Sequence, residues 1–123
     1  MRYKHIIWDW NGTLLDDRWL CVEGINIGLI KRKLAPITEE KYRQVFTFPV
    51  KKYYMRLGFN FDKEPFEIAG DEFVSYYGKN FHKTNLQKDS KFVLSKIESK
   101  QISQSILSAA MQDFLSDWII AHK

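Results

Sequence analysis

The sequence predicts an α/β fold: two parallel strands joined by a crossover, with a helical module inserted after the first strand. Three features carry this. A short apolar run near the start ends in Asp9, residues 17–85 read as helical throughout, and a second apolar run at 101–108 precedes an amphipathic stripe.

Residues 3–9 predict the first strand, with Ile6, Ile7 and Trp8 as its buried part. Asn11-Gly12 marks a turn. A helix starts from Asp16-Asp17 with a carboxylate as its cap. Its apolar positions Trp19, Leu20, Val22, Ile25, Leu29 and Ile30 keep helical spacing to about Leu34, and Pro36 ends it. Thr38 caps a short helix through about Val45, and Pro49 opens another that runs to Leu57 and stops at Gly58. A longer helix spans about Glu64 to Phe81, offering Phe66, Phe73, Val74, Tyr77 and Phe81 for burial. Asp89-Ser90 caps a helix carrying Phe92, Val93, Leu94 and Ile97. Gln101 to Ser108 forms the second strand. Ala110, Met111, Phe114, Leu115, Trp118 and Ile119 make a last amphipathic helix. The expected domains are 1–16 with 86–123, interrupted by 17–85.

Composition narrows the function. Hydrophobic residues make up 45% and charged residues 28% of the 123, which argues against intrinsic disorder. The lone Cys21 excludes an internal disulfide framework. No apolar run approaches the ~20 residues that cross a bilayer. The polar start, Met1 to His5, is unlike a secretory signal, so a cytoplasmic protein with no membrane partner is expected. The net charge of +4 is spread along the chain, an ordinary solvated surface with mild attraction for anionic substrates and no nucleic-acid stripe. His5, on the first strand, is expected at the surface or edge, His82 and His122 are isolated and lack metal-ligand spacing, and Phe46, Phe48, Tyr53, Tyr54 and Phe59 are expected as core of the inserted module.

The informative stretch is Ile6-Ile7-Trp8-Asp9-Trp10-Asn11-Gly12-Thr13-Leu14-Leu15-Asp16-Asp17. A carboxylate at the carboxyl end of a buried strand lies where ligands bind in open α/β sheets. Backbone N–H groups of the following glycine turn can cradle a phosphate. Asp9 can then act as nucleophile toward phosphorus.

This stretch resembles the first motif of the haloacid dehalogenase-like (HAD) superfamily, close to its phosphoglycolate-phosphatase-like members. Val45-Phe46-Thr47-Phe48-Pro49-Val50, with Tyr54 and Leu57-Gly58-Phe59, is similar to the helical cap of that group. Ser105-Ile106-Leu107-Ser108-Ala109 resembles the second motif. The resemblance implies a partial Rossmannoid core of two parallel strands with an inserted α-helical cap. It also implies phosphatase activity on a small phosphorylated metabolite through an aspartyl-phosphate, with Mg2+ as cofactor. Carried onto this chain, Asp9 is nucleophile and metal ligand, and Asn11 a metal ligand through its backbone carbonyl. Gly12, Thr13, Ser108 and Ala109 belong to the phosphate site.

Two departures stand out. Family phosphatases usually carry a second Asp two places after the nucleophile as general acid and base, and here the residue is Asn11. An amide cannot shuttle a proton at neutral pH. This argues for a slow phosphatase, a different proton carrier or a non-hydrolytic role. The family's later lysine and acidic motifs have no counterpart: Lys123 is the sole lysine after Ser108, and Asp113 and Asp117 flank an apolar stripe. The sequence therefore resembles a HAD protein truncated after the second motif. The alternative reading is an inactive fragment with at most an interaction role. An unpaired edge of the first strand is further expected to favour self-association.

Overall fold

The computed structural model describes residues 4–108, and these form two compact units. One unit takes the described residues of Met1–Asp17 and His82–Lys123; the other is Arg18–Phe81. The final helix expected from the sequence, with Asp113 and Asp117, lies outside the described residues, as does Ala109.

In the first unit, β1 (His5–Trp8) pairs in parallel with β4 (Ser103–Ile106), in the register His5 with Ser103 through Trp8 with Ile106. The Leu107 N–H donates to the Trp8 carbonyl at 2.9 Å, so pairing continues one step past the strand. The connection to β4 passes through α5 (Ser90–Ser99), the crossover that a parallel pair requires. Gln104 ties the sheet together, accepting from Trp8 Nε1 at 2.8 Å and donating to the Leu94 carbonyl of α5 at 3.1 Å.

Burial along β1 differs from the sequence reading. Ile6 and Trp8 are half-buried, but Ile7 is 63% exposed. Side chains alternate between the two faces of a strand, so Ile7 points to the face opposite Ile6 and Trp8. Ile7 shares its face with His5, which hydrogen-bonds Ser103 at 2.7 Å and Ser105 at 2.8 Å. Leu107 is also exposed.

A second, smaller pairing escaped the sequence. β2 (Leu15–Asp16) runs antiparallel to β3 (Asn85–Leu86), so the all-helical stretch stops short of Asn85. Two residues per strand carry no readable periodicity. Leu15 is fully buried, with Trp10 and Leu14 nearly so. Asp89 precedes α5 in a left-handed conformation (φ 70°) without a side-chain capping bond. The Ser90 hydroxyl instead donates to the Leu14 carbonyl at 3.1 Å.

The second unit is helical: α1 (Arg18–Lys31), α2 (Glu39–Val45), α3 (Val50–Arg56) and α4 (Phe66–Asn80). α1 ends three residues before the expected Leu34, where Lys33 takes φ 61° and the Leu34 N–H returns to the Leu29 carbonyl. Thr38 caps α2 through its hydroxyl, which accepts from the Lys41 N–H. α1 packs on α4, and Gly24 permits the approach: a Cβ there would stand 3.1 Å from the Phe73 ring. Ile25, Leu29, Tyr53, Tyr54, Phe59 and Ala69 form the core, with Phe46 packed against it. Phe48 and Val74 are exposed, against expectation, and Cys21 is half-buried. Phe48 still meets the Phe46 ring edge-on at 5.3 Å.

Polar links join α1 to α4 at the surface. Lys31 and Arg32 both reach Glu72, and Arg32 Nε bonds Glu64 at 2.6 Å. The Lys31 hydrogen bond, with Arg32 behind it, holds the Glu72 carboxyl below its ordinary value. A depressed carboxyl stabilises the fold above its unfolded value and loses that contribution as pH falls through the folded one. Stability therefore declines as pH drops below 4.5, and Glu72→Gln flattens this acid limb in urea titrations run across that range. The Tyr53 hydroxyl is buried with no hydrogen-bond partner among the described residues, and burial raises its pKa. An unmet buried donor costs about 1–3 kcal/mol, so Tyr53→Phe is expected to hold or raise stability in chemical denaturation, where a loss above about 1 kcal/mol contradicts this packing.

Candidate active site

Asp9 follows the last residue of β1 and is exposed. Its carboxylate is held at both oxygens: Oδ1 accepts from the Trp10 N–H at 2.8 Å and Oδ2 from the Thr13 hydroxyl at 3.2 Å. The turn beyond it closes on one atom. The N–H groups of Thr13, Leu14 and Leu15 all donate to the Trp10 carbonyl, at 3.2, 3.1 and 3.0 Å, and the Gly12 N–H donates to the Leu15 carbonyl at 2.9 Å. These four donors point into the turn. Gly12 takes φ 76°, a conformation that L side chains rarely adopt.

A second segment clamps the turn. Gln87 donates from its backbone to the Leu14 carbonyl at 2.7 Å and from Nε2 to the Gly12 carbonyl at 3.2 Å. With Ser90 on the Leu14 carbonyl, the approach to α5 fixes the loop that carries Asp9 and Thr13.

Asn11 links the motifs. Its Nδ2 donates to Asp17 Oδ2 at 2.7 Å, and its Oδ1 accepts from the Ser108 hydroxyl at 3.2 Å. Asp17 is 2% exposed. The structure thus brings Asp9, Asn11, Gly12, Thr13 and Ser108 to one end of the β1–β4 pair, while Ala109 lies outside the described residues. Sequence reasoning passed over Asp17, Gln87 and Ser90. The Asp16-Asp17 doublet was the available signal, although it read equally as a helix start.

A sequence model of the haloacid dehalogenase-like hydrolases matches residues 6–122. The chain belongs to this family. No curated protein matches it by sequence. Solved structures similar to this HAD chain include a protein of Haemophilus somnus 129PT predicted to be a phosphoglycolate phosphatase. That match has TM-score 0.80 at 17% identity, over 99% of this chain and 58% of the other. A Bacteroides fragilis protein assigned to the haloacid dehalogenase-like hydrolases aligns with TM-score 0.84 at 17% identity, over 98% and 58%. CbbY from Rhodobacter sphaeroides, in complex with phosphate, aligns with TM-score 0.65 at 14% identity, over 89% and 52%. The likeness establishes a HAD-like Rossmannoid fold, and the chain spans 58% of the length of the first two of these structures.

The family is in general magnesium-dependent. Magnesium commonly takes one or two carboxylates with waters and substrate phosphate. Among the described residues no group of three or more His, Cys, Asp or Glu could share a metal ion. Asp9 and Asp16 are the exposed carboxylates of the motif, Asn11 stands beside Asp9, and Asp17 is buried and accepts from the Asn11 amide. The described residues do not by themselves complete a magnesium site. No described helix is long and apolar enough to cross a membrane.

Because a Cβ at Gly12 would meet no atom within 4 Å, the cost of Gly12→Ala is backbone strain alone. That strain is roughly 1–2 kcal/mol, and Gly12→Asn recovers part of it. Equilibrium unfolding of the two variants checks this, and an Ala variant as stable as the parent contradicts the turn geometry.

Proposed function

We propose that this HAD hydrolase is a phosphatase acting on a small phosphorylated metabolite, with Asp9 as the nucleophile and an aspartyl-phosphate as intermediate. The observation that carries the reading is the Asp9 carboxylate: exposed at the end of β1, held by Trp10 and Thr13, with Ser108 of the second motif bonded to the neighbouring Asn11. Two hydrogen bonds to the ionised form fix its orientation. In the proposed reaction an Asp9 oxygen attacks phosphorus, and the Thr13 and Ser108 hydroxyls turn toward the phosphoryl oxygens.

The mild positive charge of the chain suits an anionic substrate. The phosphoglycolate phosphatase assignment of the Haemophilus somnus protein supports a small phosphate ester as substrate class. Magnesium enters the proposal as the family's cofactor, with Asp9 and the Asn11 carbonyl as its ligands here and the others outside the described residues.

The test is hydrolysis of a generic phosphate ester by the full chain and by Asp9→Asn in magnesium buffer. The reading predicts turnover by the parent and background rates for the variant. Equal rates for both would remove Asp9 from the chemistry.

A further inference from the structure

His5 opens β1, and both of its ring nitrogens are bonded to serines of β4: Nδ1 to Ser103 Oγ at 2.7 Å and Nε2 to Ser105 Oγ at 2.8 Å. The parallel register sets this up. His5 pairs with Ser103 and Ile7 with Ser105, so these four residues share the sheet face opposite Ile6 and Trp8. His5, Ser103 and Ser105 are all exposed, which leaves the three side chains open to a substrate from solvent.

The hydrogens follow from the acceptors. Ser103 donates its one hydroxyl hydrogen to the Lys4 carbonyl at 3.1 Å. Its oxygen can then only accept from His5, which places the ring proton on Nδ1. In the neutral imidazole Nε2 keeps a lone pair, and the Ser105 hydroxyl is its donor. A nucleophile is thus in reach of a base whose other nitrogen is held by a third group, the arrangement that activates serine for acyl transfer.

Going beyond the phosphatase reading, we propose that this face is a separate catalytic site for esters of short apolar carboxylic acids, with Ser105 as nucleophile and His5 as general base. The neighbours fit an apolar acyl group. Ile7, 63% exposed, shares the face, and Leu107, 73% exposed, follows Ser105 two places on, its N–H carrying the ladder forward to the Trp8 carbonyl. Asp9 follows the other end of β1, roughly 13 Å away at about 3.3 Å per residue, so the two sites are distinct.

Ser105 Oγ bonds to the ester carbon as its proton passes to His5 Nε2 and the carbonyl pair moves onto oxygen. When the carbonyl re-forms, the bond to the alcohol oxygen breaks, the pair stays on that oxygen, and His5 returns the proton to it. Water then bonds to the acyl carbon, passing its proton through Nε2 to Ser105 as the bond to Oγ breaks. Ester and water give acid and alcohol, and the chain is restored. Ser103 is a positioning residue, because it fixes the ring with Nε2 toward Ser105.

The experiment follows nitrophenolate release by the full chain from 4-nitrophenyl butanoate, with acid quench and peptide mass mapping. The expected result is a butanoyl group on Ser105 of the parent, with His5→Gln and Ser105→Ala each at least about 10²-fold slower. Ser103→Ala is expected to lower kcat with KM unchanged, and Ser103→Thr, which keeps the hydroxyl, to restore it. Butanoyl groups on lysines or the amino terminus with Ser105 unlabelled overturn the proposal, and that mapping needs no variant to fold. Parent rates in a folded His5→Gln chain overturn it as well, and a parent kcat in Ser103→Ala overturns the positioning role. Phosphate-ester turnover on the same preparation reports on Asp9, so failure of one site is read apart from failure of the other.

Discussion

The site depends on the parallel pairing of β1 with β4. Through it, the residue after Trp8 and the residues after Ile106 emerge side by side, although nearly the whole chain separates them. The bond from Leu107 to the Trp8 carbonyl extends the ladder far enough to set Ser108 within reach of Asn11. A slip of one residue would send every side chain of β4 to the opposite face and break that link. The Gln104 bonds to Trp8 and to α5 act against such a slip.

The loop that follows Asp9 is built from the inside. Its N–H groups converge on the Trp10 carbonyl, and the outward-facing carbonyls of Gly12 and Leu14 are taken by Gln87 and Ser90. Buried backbone groups are nearly always paired, and here the N–H groups of Gly12 to Leu15 are all taken within the turn.

Much of this was legible in the chain itself. The Asp9 motif could be read because a carboxylate at a strand end and a glycine turn leave a strong local pattern, whereas the Ser108 segment could be read only by its resemblance to the family's second motif. Thr38, Pro49 and Gly58 punctuated the helices for the same reason. Ile7 was misread as buried because an apolar run does not reveal how many faces of a strand are covered. β2 and β3 were missed because pairs of two residues have no period, and their stability comes from the burial of Leu15. Asp17 was legible only as a helix start; its bond to Asn11 is a tertiary fact.

The central claim is that the Asp9 carboxylate forms a covalent bond with phosphorus. Incubation of the full chain with acetyl phosphate and magnesium, followed by acid quench and peptide mass mapping, tests it most directly. The account predicts one added phosphoryl group, located on Asp9 and removed by mild base. A phosphoryl group on another residue, or none under conditions that support turnover, would contradict it.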